Sequence, residues 1–372
     1  MNSEKITQAL HEVEESDKAL AAAFERRLDA IKVIAEYRRE HGIPVPAEPD
    51  GGERAQELSA VITDAEKRPY YMSFFQGALS ASEKYHRRIM QGVRVAYTGV
   101  KGAFANIAAS RIFPEGEMVS YPDFAASYTA VERGECDCAV LPIENSYAGE
   151  VGQVIELMFS GTLYIGGVYS LRVKHNLLGL RGSTPSGVKK VVSHPQALHQ
   201  CAPYIQAHGY ECIQETNTAV AAQRVAEGGD PTVAAIASAE TAKLYGLEVL
   251  DHDINESGDN TTRFAVFSRT PNIDEDHRDR SRFLLMFILQ NVPGALASAI
   301  NVISSYGFNM KVIRSRPIKE PAWEYYFYVE AEGDEESENG RRMISELRQH
   351  CRVLKVVGHY SDDIRLGASS II

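Results

Sequence analysis

Tryptophan and cysteine are scarce in this sequence: one Trp and five Cys in 372 residues. Cys136, Cys138, Cys201, Cys212 and Cys351 are odd in number and irregularly spaced, which excludes a disulfide framework and a C-x-x-C metal or redox pair. Reduced thiols packed as small apolar groups fit best. No apolar run is clean enough to span a bilayer, since the longest, residues 154–171, is interrupted by Glu156, Gly161, Gly166 and Gly167. The first sixteen residues lack the basic patch and apolar core of an export signal, so a cytoplasmic protein is expected, with no membrane partner. Positive charge is also in deficit. The net charge of −11 divides as −3 for residues 1–91, −8 for 92–281 and zero for 282–372. No segment is therefore a basic module, and nucleic acid is disfavoured as a partner. A small anion remains possible, because helix N-termini and a few local donors suffice to hold one.

What is present is an ordinary globular balance, 44% hydrophobic and 24% charged, over a length that suits two or three cored units. Three periods divide it. In residues 6–39 the apolar positions Ile6, Leu10, Val13, Leu20, Phe24, Leu28, Ile31 and Ile34 recur at helical spacing without Gly or Pro. At 1.5 Å per residue this is a helix of about 50 Å, stopped by Gly42 and Pro44. Two shorter helices are predicted over 53–67 and 70–90. They are too short to cover the first, so pairing with a second copy in a helical bundle is expected. From residue 93 short β-branched runs at 93–97, 138–142, 163–173, 189–192, 210–215, 233–237, 248–251 and 262–268 alternate with helical stretches. Those stretches are 103–113, 123–134, 149–161, 195–208, 218–228 and 239–245. The alternation predicts an α/β architecture with substantially parallel sheets, long enough for two lobes with a ligand crevice between them or at the strand ends. A polar linker at 270–282 precedes a βαββαβ order over about 80 residues, the ferredoxin-like plan. Its exposed sheet edge predicts pairing with another copy. The boundaries read as 1–91, 92–270 and 282–362.

Candidate chemistry gathers at strand ends. Leu141-Pro142-Ile143-Glu144-Asn145-Ser146 leaves a strand, Ser193-His194-Pro195-Gln196-Ala197-Leu198 leaves another and starts a helix, and Thr216-Asn217-Thr218 does the same. The Thr and Asn residues can cap a helix whose free N–H groups bind a carboxylate. Asn260-Thr261-Thr262-Arg263-Phe264 leads into an apolar strand. Caps and turns use the same residue types whatever the function, so these patterns alone suggest an anion-binding, two-lobed domain and name no reaction.

The order Gly99-x-Lys101-Gly102-x-Phe104, Pro142-Ile143-Glu144-Asn145-Ser146, Ser193-His194-Pro195-Gln196-Ala197-Leu198, Leu244-Tyr245-Gly246-Leu247 and Asn260-x-Thr262-Arg263-Phe264 resembles prephenate dehydratase. The tail resembles an ACT regulatory domain at Val292-Pro293-Gly294-Ala295-Leu296, Ser315-Arg316-Pro317 and Trp323-Glu324-Tyr325-Tyr326-Phe327. The head is similar to the all-helical chorismate mutase. The whole chain is thus similar to the bifunctional chorismate mutase/prephenate dehydratase family. The resemblance implies a multidomain protein: an all-α head, a two-lobed α/β domain of the periplasmic-binding-protein kind, and an α+β ferredoxin-like ACT domain. It implies decarboxylative elimination of prephenate with no metal or organic cofactor, phenylalanine as effector, and a homodimer or homotetramer. Thr262 takes the place of the donor to the leaving hydroxyl, and Glu144 is inferred as the neighbour that relays a proton to it. Asn145, Ser146, Thr216, Asn217, Thr218 and Asn260 are assigned to the substrate. Arg263 pairs with a carboxylate or braces its strand. Phenylalanine is assigned to Gly294, Ala295, Leu296, Asn309, Ser315, Arg316 and Pro317.

The departures are specific. Val100, Ala103 and Ala105 replace the usual proline and hydroxyl residues of the glycine-rich entry. Arg314 stands where the ACT motif has glutamate, exchanging an acceptor for a cation. In the head, Arg27 and Arg38 match two cationic positions of the mutase pocket, eleven residues apart and so about 20° apart around one helix. Leu10 stands at the first arginine, Gly52-Glu53 at an Arg-Glu pair, and His86, after Ser82, at a glutamine. A pericyclic rearrangement is catalysed by holding carboxylates and ether oxygen in one compact conformer. Each lost donor costs on the order of 3 kcal/mol, about a hundredfold in rate. The head reads as a mutase fold kept mainly for dimerisation. The alternatives are a fully bifunctional enzyme, an arogenate dehydratase, and a non-catalytic amino-acid sensor, which would have no use for Thr262.

Overall fold

The structure is a computed structural model, described here for residues 3–40, 59, 61–256, 258–271, 281–318, 324–361 and 364–367. The chain divides into two compact units, Met1–Arg94 and Val95–Ile372. In the first, α1 (Ser3–Glu40) runs unbroken as its period predicts and packs on α2 (Arg68–Gln91), which starts with Pro in its first turn. The helix expected over 53–67 is not continued through its last residues. Residues 61–67 form turns, because the Asp64 carboxylate accepts the Glu66 N–H and the Asp64 carbonyl accepts that of Lys67, which offers the backbone an alternative to helix. Residues 41–58, with the loop expected at 43–52, lie outside the described residues. Leu10 and Val13 on α1 stay more than half exposed.

The second unit begins with β1 (Arg94–Thr98), α3 (Phe104–Ile112), β2 (Glu117–Tyr121), α4 (Phe124–Glu132), β3 (Cys138–Asn145), β4 (Gly149–Glu150), α5 (Gly152–Ser160) and β5 (Tyr164–Arg172). The chain then crosses to a second lobe. It comprises β6 (Asn176–Gly179), β7 (Lys190–Ser193), α6 (Pro195–Gln200), α7 (Ala202–His208), β8 (Glu211–Gln214), α8 (Thr218–Gly228), β9 (Val233–Ala237), α9 (Ala239–Tyr245) and β10 (Glu248–Asp251). It returns in β11 (Thr261–Ser268). The single helix expected over 195–208 is split at Cys201, because Pro203 cannot donate into a continuous ladder and instead sits in the first turn of α7. Four strands escape the sequence reading, β2, β4, β6 and β16 (Ile364–Leu366), each five residues or fewer.

The sheets are mixed, not substantially parallel. The first lobe orders β16-β5-β11-β3-β1-β2, with β4 on β3, and the second β10-β6-β9-β7-β8. β1 with β3, and β7 with β8 and β9, pair in parallel as βαβ units should. The crossing changes this: β11 re-enters from the other lobe and lies antiparallel between β3 and β5. In the same way β6 runs antiparallel to β9 and β10.

The C-terminal module follows the expected βαββαβ order: β12 (Ser281–Leu289), α10 (Ala295–Ser305), β13 (Asn309–Pro317), β14 (Tyr325–Glu332), α11 (Glu338–His350) and β15 (Cys351–Ser361). Its sheet, β13-β14-β12-β15, is antiparallel, with β13 at one edge. Period-two alternation divides β12 between two cores. Phe283, Leu285 and Phe287 pack with Ala299, Ile303, Met343 and Leu347 of the module's helices. Leu284 and Met286 face the other way and join Ala139, Leu141, Ala265 and Phe267 of the first lobe. Two sheets thus pack face to face, and the rear of β3 and β11 is covered by the C-terminal module.

Candidate active site

A cavity of about 870 Å³ opens between the two lobes at the ends of β1, β3, β7 and β8. From the first lobe come Thr98, Gly99 and the start of α3. From the second come His194, at the N-cap of α6, and Thr216, Asn217 and Thr218 at the start of α8. Asn217 caps its helix, its Oδ1 accepting the N–H of Ala219 and Val220 at 2.9 Å each. Two helix N-termini from opposed lobes therefore border one space, which favours negative charge at two points. None of the described residues lining the cavity is Asp, Glu, Lys or Arg, so a bound anion meets dipoles and neutral donors.

The floor is a directed chain of buried amides. Asn145 Oδ1 accepts the backbone N–H of Tyr147 and Ala148, which fixes the amide and turns Nδ2 inward. Nδ2 donates to Thr262 Oγ1 and to Asn260 Oδ1, each at 2.9 Å. Asn260 Nδ2 then donates to Gln200 Oε1, which also receives His175 Nε2 at 2.9 Å. An oxygen can only accept, so Nε2 carries the imidazole proton. Burial foremost, opposed in part by the Gln200 bond, pushes His175 down to about 4, so it is neutral at pH 7. Thr262 accepts from Asn145 and keeps its own hydroxyl hydrogen for another partner.

Thr262, Asn145, Asn260, Thr216, Asn217 and Thr218 are brought together here, as the motifs suggest. Glu144, Ser146 and Arg263 are not. Consecutive strand residues point to opposite faces, so Glu144 and Arg263, register partners beside Asn145 and Thr262, meet behind the sheet. Arg263 reaches Glu144 at 3.0 Å, and Arg314 of the C-terminal module takes the other Glu144 oxygen at 2.5 Å. The structure thus places Glu144 on the face away from the Thr262 hydroxyl, and Arg263 pairs there with the protein carboxylates of Glu144 and Glu330. Ser146 donates to the Asp259 carbonyl and receives the Thr261 N–H, closing the loop outside the cavity. His175 and Gln200 are missed by the motifs, since His175 stands among Arg172, Lys174 and Asn176, a polar stretch that carries no signal for a buried imidazole.

Residues 95–272 match the family model for prephenate dehydratase. The chain is 34% identical over 323 residues to arogenate dehydratase/prephenate dehydratase 2 of Arabidopsis thaliana, covering 84% of this chain and 83% of that protein. The chain belongs to the prephenate dehydratase family. As a member it is an enzyme, a dehydratase of aromatic amino-acid biosynthesis. The bifunctional chorismate mutase/prephenate dehydratase of Aquifex aeolicus is 29% identical over 376 residues, 96% of this chain and 98% of its own, a span that takes in the helical head. Among solved structures, the prephenate dehydratase of Arthrobacter aurescens in complex with L-Phe aligns with TM-score 0.67 and 25% identity, covering 72% of this chain and 90% of that one. A protein described as a novel type of quorum-quenching acylase aligns with TM-score 0.67 and 32% identity, over 72% of this chain and 97% of its own.

The remaining assigned residues of this family member lie apart from the cavity. Gly294 is the N-cap of α10 with φ +86°, a left-handed conformation that glycine adopts without strain, and Ala295 and Leu296 follow in the first turn. Asn309 donates to Glu332 at the start of β13. Ser315 and Pro317 are on the outer face of that edge strand, whereas Arg316 turns to Glu150 at 2.8 Å. In the head, Arg27 Nε donates to the buried Ser82 Oγ at 2.9 Å, with its guanidinium over the Phe75 ring, so these two predicted pocket residues do meet. His86 follows on α2 and Arg38 lies on α1, while Glu53 falls outside the described residues.

Among the described residues no cluster of His, Cys, Asp and Glu is placed to hold a metal, and no helix is long and apolar enough to cross a membrane.

Proposed function

We propose that this chain converts prephenate to phenylpyruvate, CO₂ and water, under feedback by phenylalanine. One observation carries the reading: Thr262 accepts a hydrogen bond from a fixed amide, in a cavity bordered by two helix N-termini, and so has a hydroxyl hydrogen to give. Prephenate is a cyclohexadienol dianion. Its ring C–C bond to the carboxylate breaks, the electron pair enters the ring, the C–O bond on the opposite carbon breaks, and the leaving hydroxyl takes up a proton. Aromatisation supplies the driving force, so the protein's task is to hold both carboxylates, direct a donor at the leaving oxygen and exclude water. No step calls for a metal or organic cofactor.

Phenylalanine as effector is supported by the Arthrobacter aurescens relative in complex with L-Phe and by the Gly294 turn of the ferredoxin-like module, which we assign to the ACT family. The edge strand β13 and the exposed apolar positions of α1 support a homodimer or homotetramer.

Arogenate, with an ammonium in place of the keto oxygen, is the second substrate reading, motivated by the arogenate dehydratases among the relatives. Incubation of the purified protein with prephenate, arogenate and chorismate separately, following phenylpyruvate, phenylalanine and prephenate, tests all three. Prephenate turnover is expected to exceed the others; turnover of arogenate alone would replace this reading, and turnover of none would return the protein to the sensor class.

A further inference from the structure

We propose that Glu330, in the C-terminal module, is a positioning residue for the dehydratase site, acting through Arg263 on Thr262. The inference rests on the dehydratase reading. Glu330 is on β14 and only 1% exposed, in the apolar seam between the two packed sheets. Its two oxygens receive both terminal nitrogens of Arg263 at 3.1 Å, and the Tyr328 hydroxyl also donates to it. Burial alone would raise the Glu330 carboxyl; the Arg263 guanidinium overcomes this and holds it below the usual carboxylate range, so the pair is ionic.

A buried ion pair is a poor source of stability compared with apolar side chains of the same volume. What a bidentate fork provides is geometry, since two parallel bonds fix the guanidinium in plane and position. That geometry is needed at this point of the sheet. The β11 to β3 ladder is out of regular register between Arg263 and Phe264, one residue beyond Thr262. The β11 to β5 ladder keeps the other edge of the strand in regular register from Thr261 to Val266, and the fork behind the sheet adds an anchor beside the irregular β3 edge. One peptide unit separates the clamped residue from the donor.

A second anchor acts on the partner strand. Arg314 bridges Glu144 and Glu150 at 2.5 and 2.7 Å, and Glu144 is adjacent to Asn145, which holds the Thr262 hydroxyl. Burial would lower Arg314; its bonds to Glu144 and Glu150 raise it instead, so it stays charged throughout. Arg314, where the related motif carries glutamate, therefore has a structural partner in the dehydratase domain. Both halves of the Asn145 to Thr262 contact are braced from the same module.

The test is steady-state kinetics of the full chain with prephenate, or with arogenate if that proves the substrate, alongside thermal melting. Glu330→Gln keeps the shape and removes the charge. Misplacement of a reacting group by about 1 Å costs up to about a hundredfold. We expect kcat to fall about 10- to 30-fold on this scale, with KM changed less than about threefold. In an Arg263→Gln background Glu330→Gln is expected to add nothing further to the loss in kcat, because both act through one contact. Arg314→Gln, about one-third exposed, is expected to lower kcat about threefold with little change in melting. A lower melting temperature with unchanged kcat in Glu330→Gln would reduce the residue to a structural one and overturn the proposal. If that variant does not fold, unchanged kcat in Arg314→Gln overturns it. Absence of turnover in the unaltered protein sinks the dehydratase reading and this inference together, whereas a normal kcat in the variants sinks the inference alone.

Discussion

Asn145 and Thr262 face each other as register partners on β3 and β11, and the amide of the first donates to the hydroxyl of the second. The direction of that bond is set two steps away, by backbone N–H groups on Asn145 Oδ1. Thr262→Val, nearly isosteric, removes the donor and leaves Asn145 Nδ2 one acceptor short. Turnover is expected to fall at least about a hundredfold, the scale of a lost oriented donor. Near-normal turnover would take Thr262 out of the mechanism.

Little or no conversion of chorismate to prephenate is expected from the intact protein. Arg27 is held by Ser82 and Phe75, but Leu10 and His86 stand where the mutase family uses an arginine and a glutamine. Robust mutase activity would show that other donors compensate. Restoring Leu10→Arg, Gly52→Arg and His86→Gln together is expected to recover part of the rate, and single restorations less, since groups acting on one transition state are not additive.

Calorimetric titration with phenylalanine is expected to show binding, accompanied by inhibition of turnover. An effector regulates only by its differential affinity for two states, so both readouts are needed. Gly294→Val puts a β-branched residue at φ +86°, at a cost of about 1–2 kcal/mol in a turn that opens α10. Both effects should weaken at least about tenfold, a difference of 1.4 kcal/mol. Retention of both would move the site elsewhere.

Acid is expected to destabilise the protein in two windows. His175 has its folded pKa near 4, below the ordinary 6.5, so the folded state binds fewer protons than the unfolded one. Its contribution is complete above about pH 6.5 and is lost as pH falls towards 4, to the extent of about 3 kcal/mol for this nearly fully buried group. Glu330, also held low, loses its contribution only below the ordinary carboxylate value of 4.5. Melting temperatures of the intact protein and of His175→Gln from pH 7.5 to 4 check this. The variant should show a flatter upper window, and parallel curves would disprove the assignment.

Periodicity alone placed α1, α8 and α9 nearly residue for residue, because long or well-capped amphipathic segments carry their own signal. Short strands such as Asn176–Gly179 carry none, since four residues fit any period. Neither a motif nor a composition reveals that β11 returns antiparallel, which depends on where the chain crosses between lobes. At the site, Thr262, Asn145 and Asn260 were legible, and Glu144 and Arg263 were misplaced by a rule the sequence already contained: neighbours along a strand face opposite sides. His175 and Gln200 could not be read, since their pairing joins residues from separate segments.

The return of β11 also orders synthesis. The first lobe is built from residues 95–172, yet the strand between β3 and β5 is 261–268, so its sheet has a gap until the whole second lobe has been made. That lobe is contiguous in sequence and can close first, whereas the first must wait with two unpaired strand edges for a partner almost ninety residues downstream. Such distant pairing is slow and leaves sticky edges exposed meanwhile. Truncations ending before Ser268 should therefore aggregate, even though they retain most of the cavity's residues.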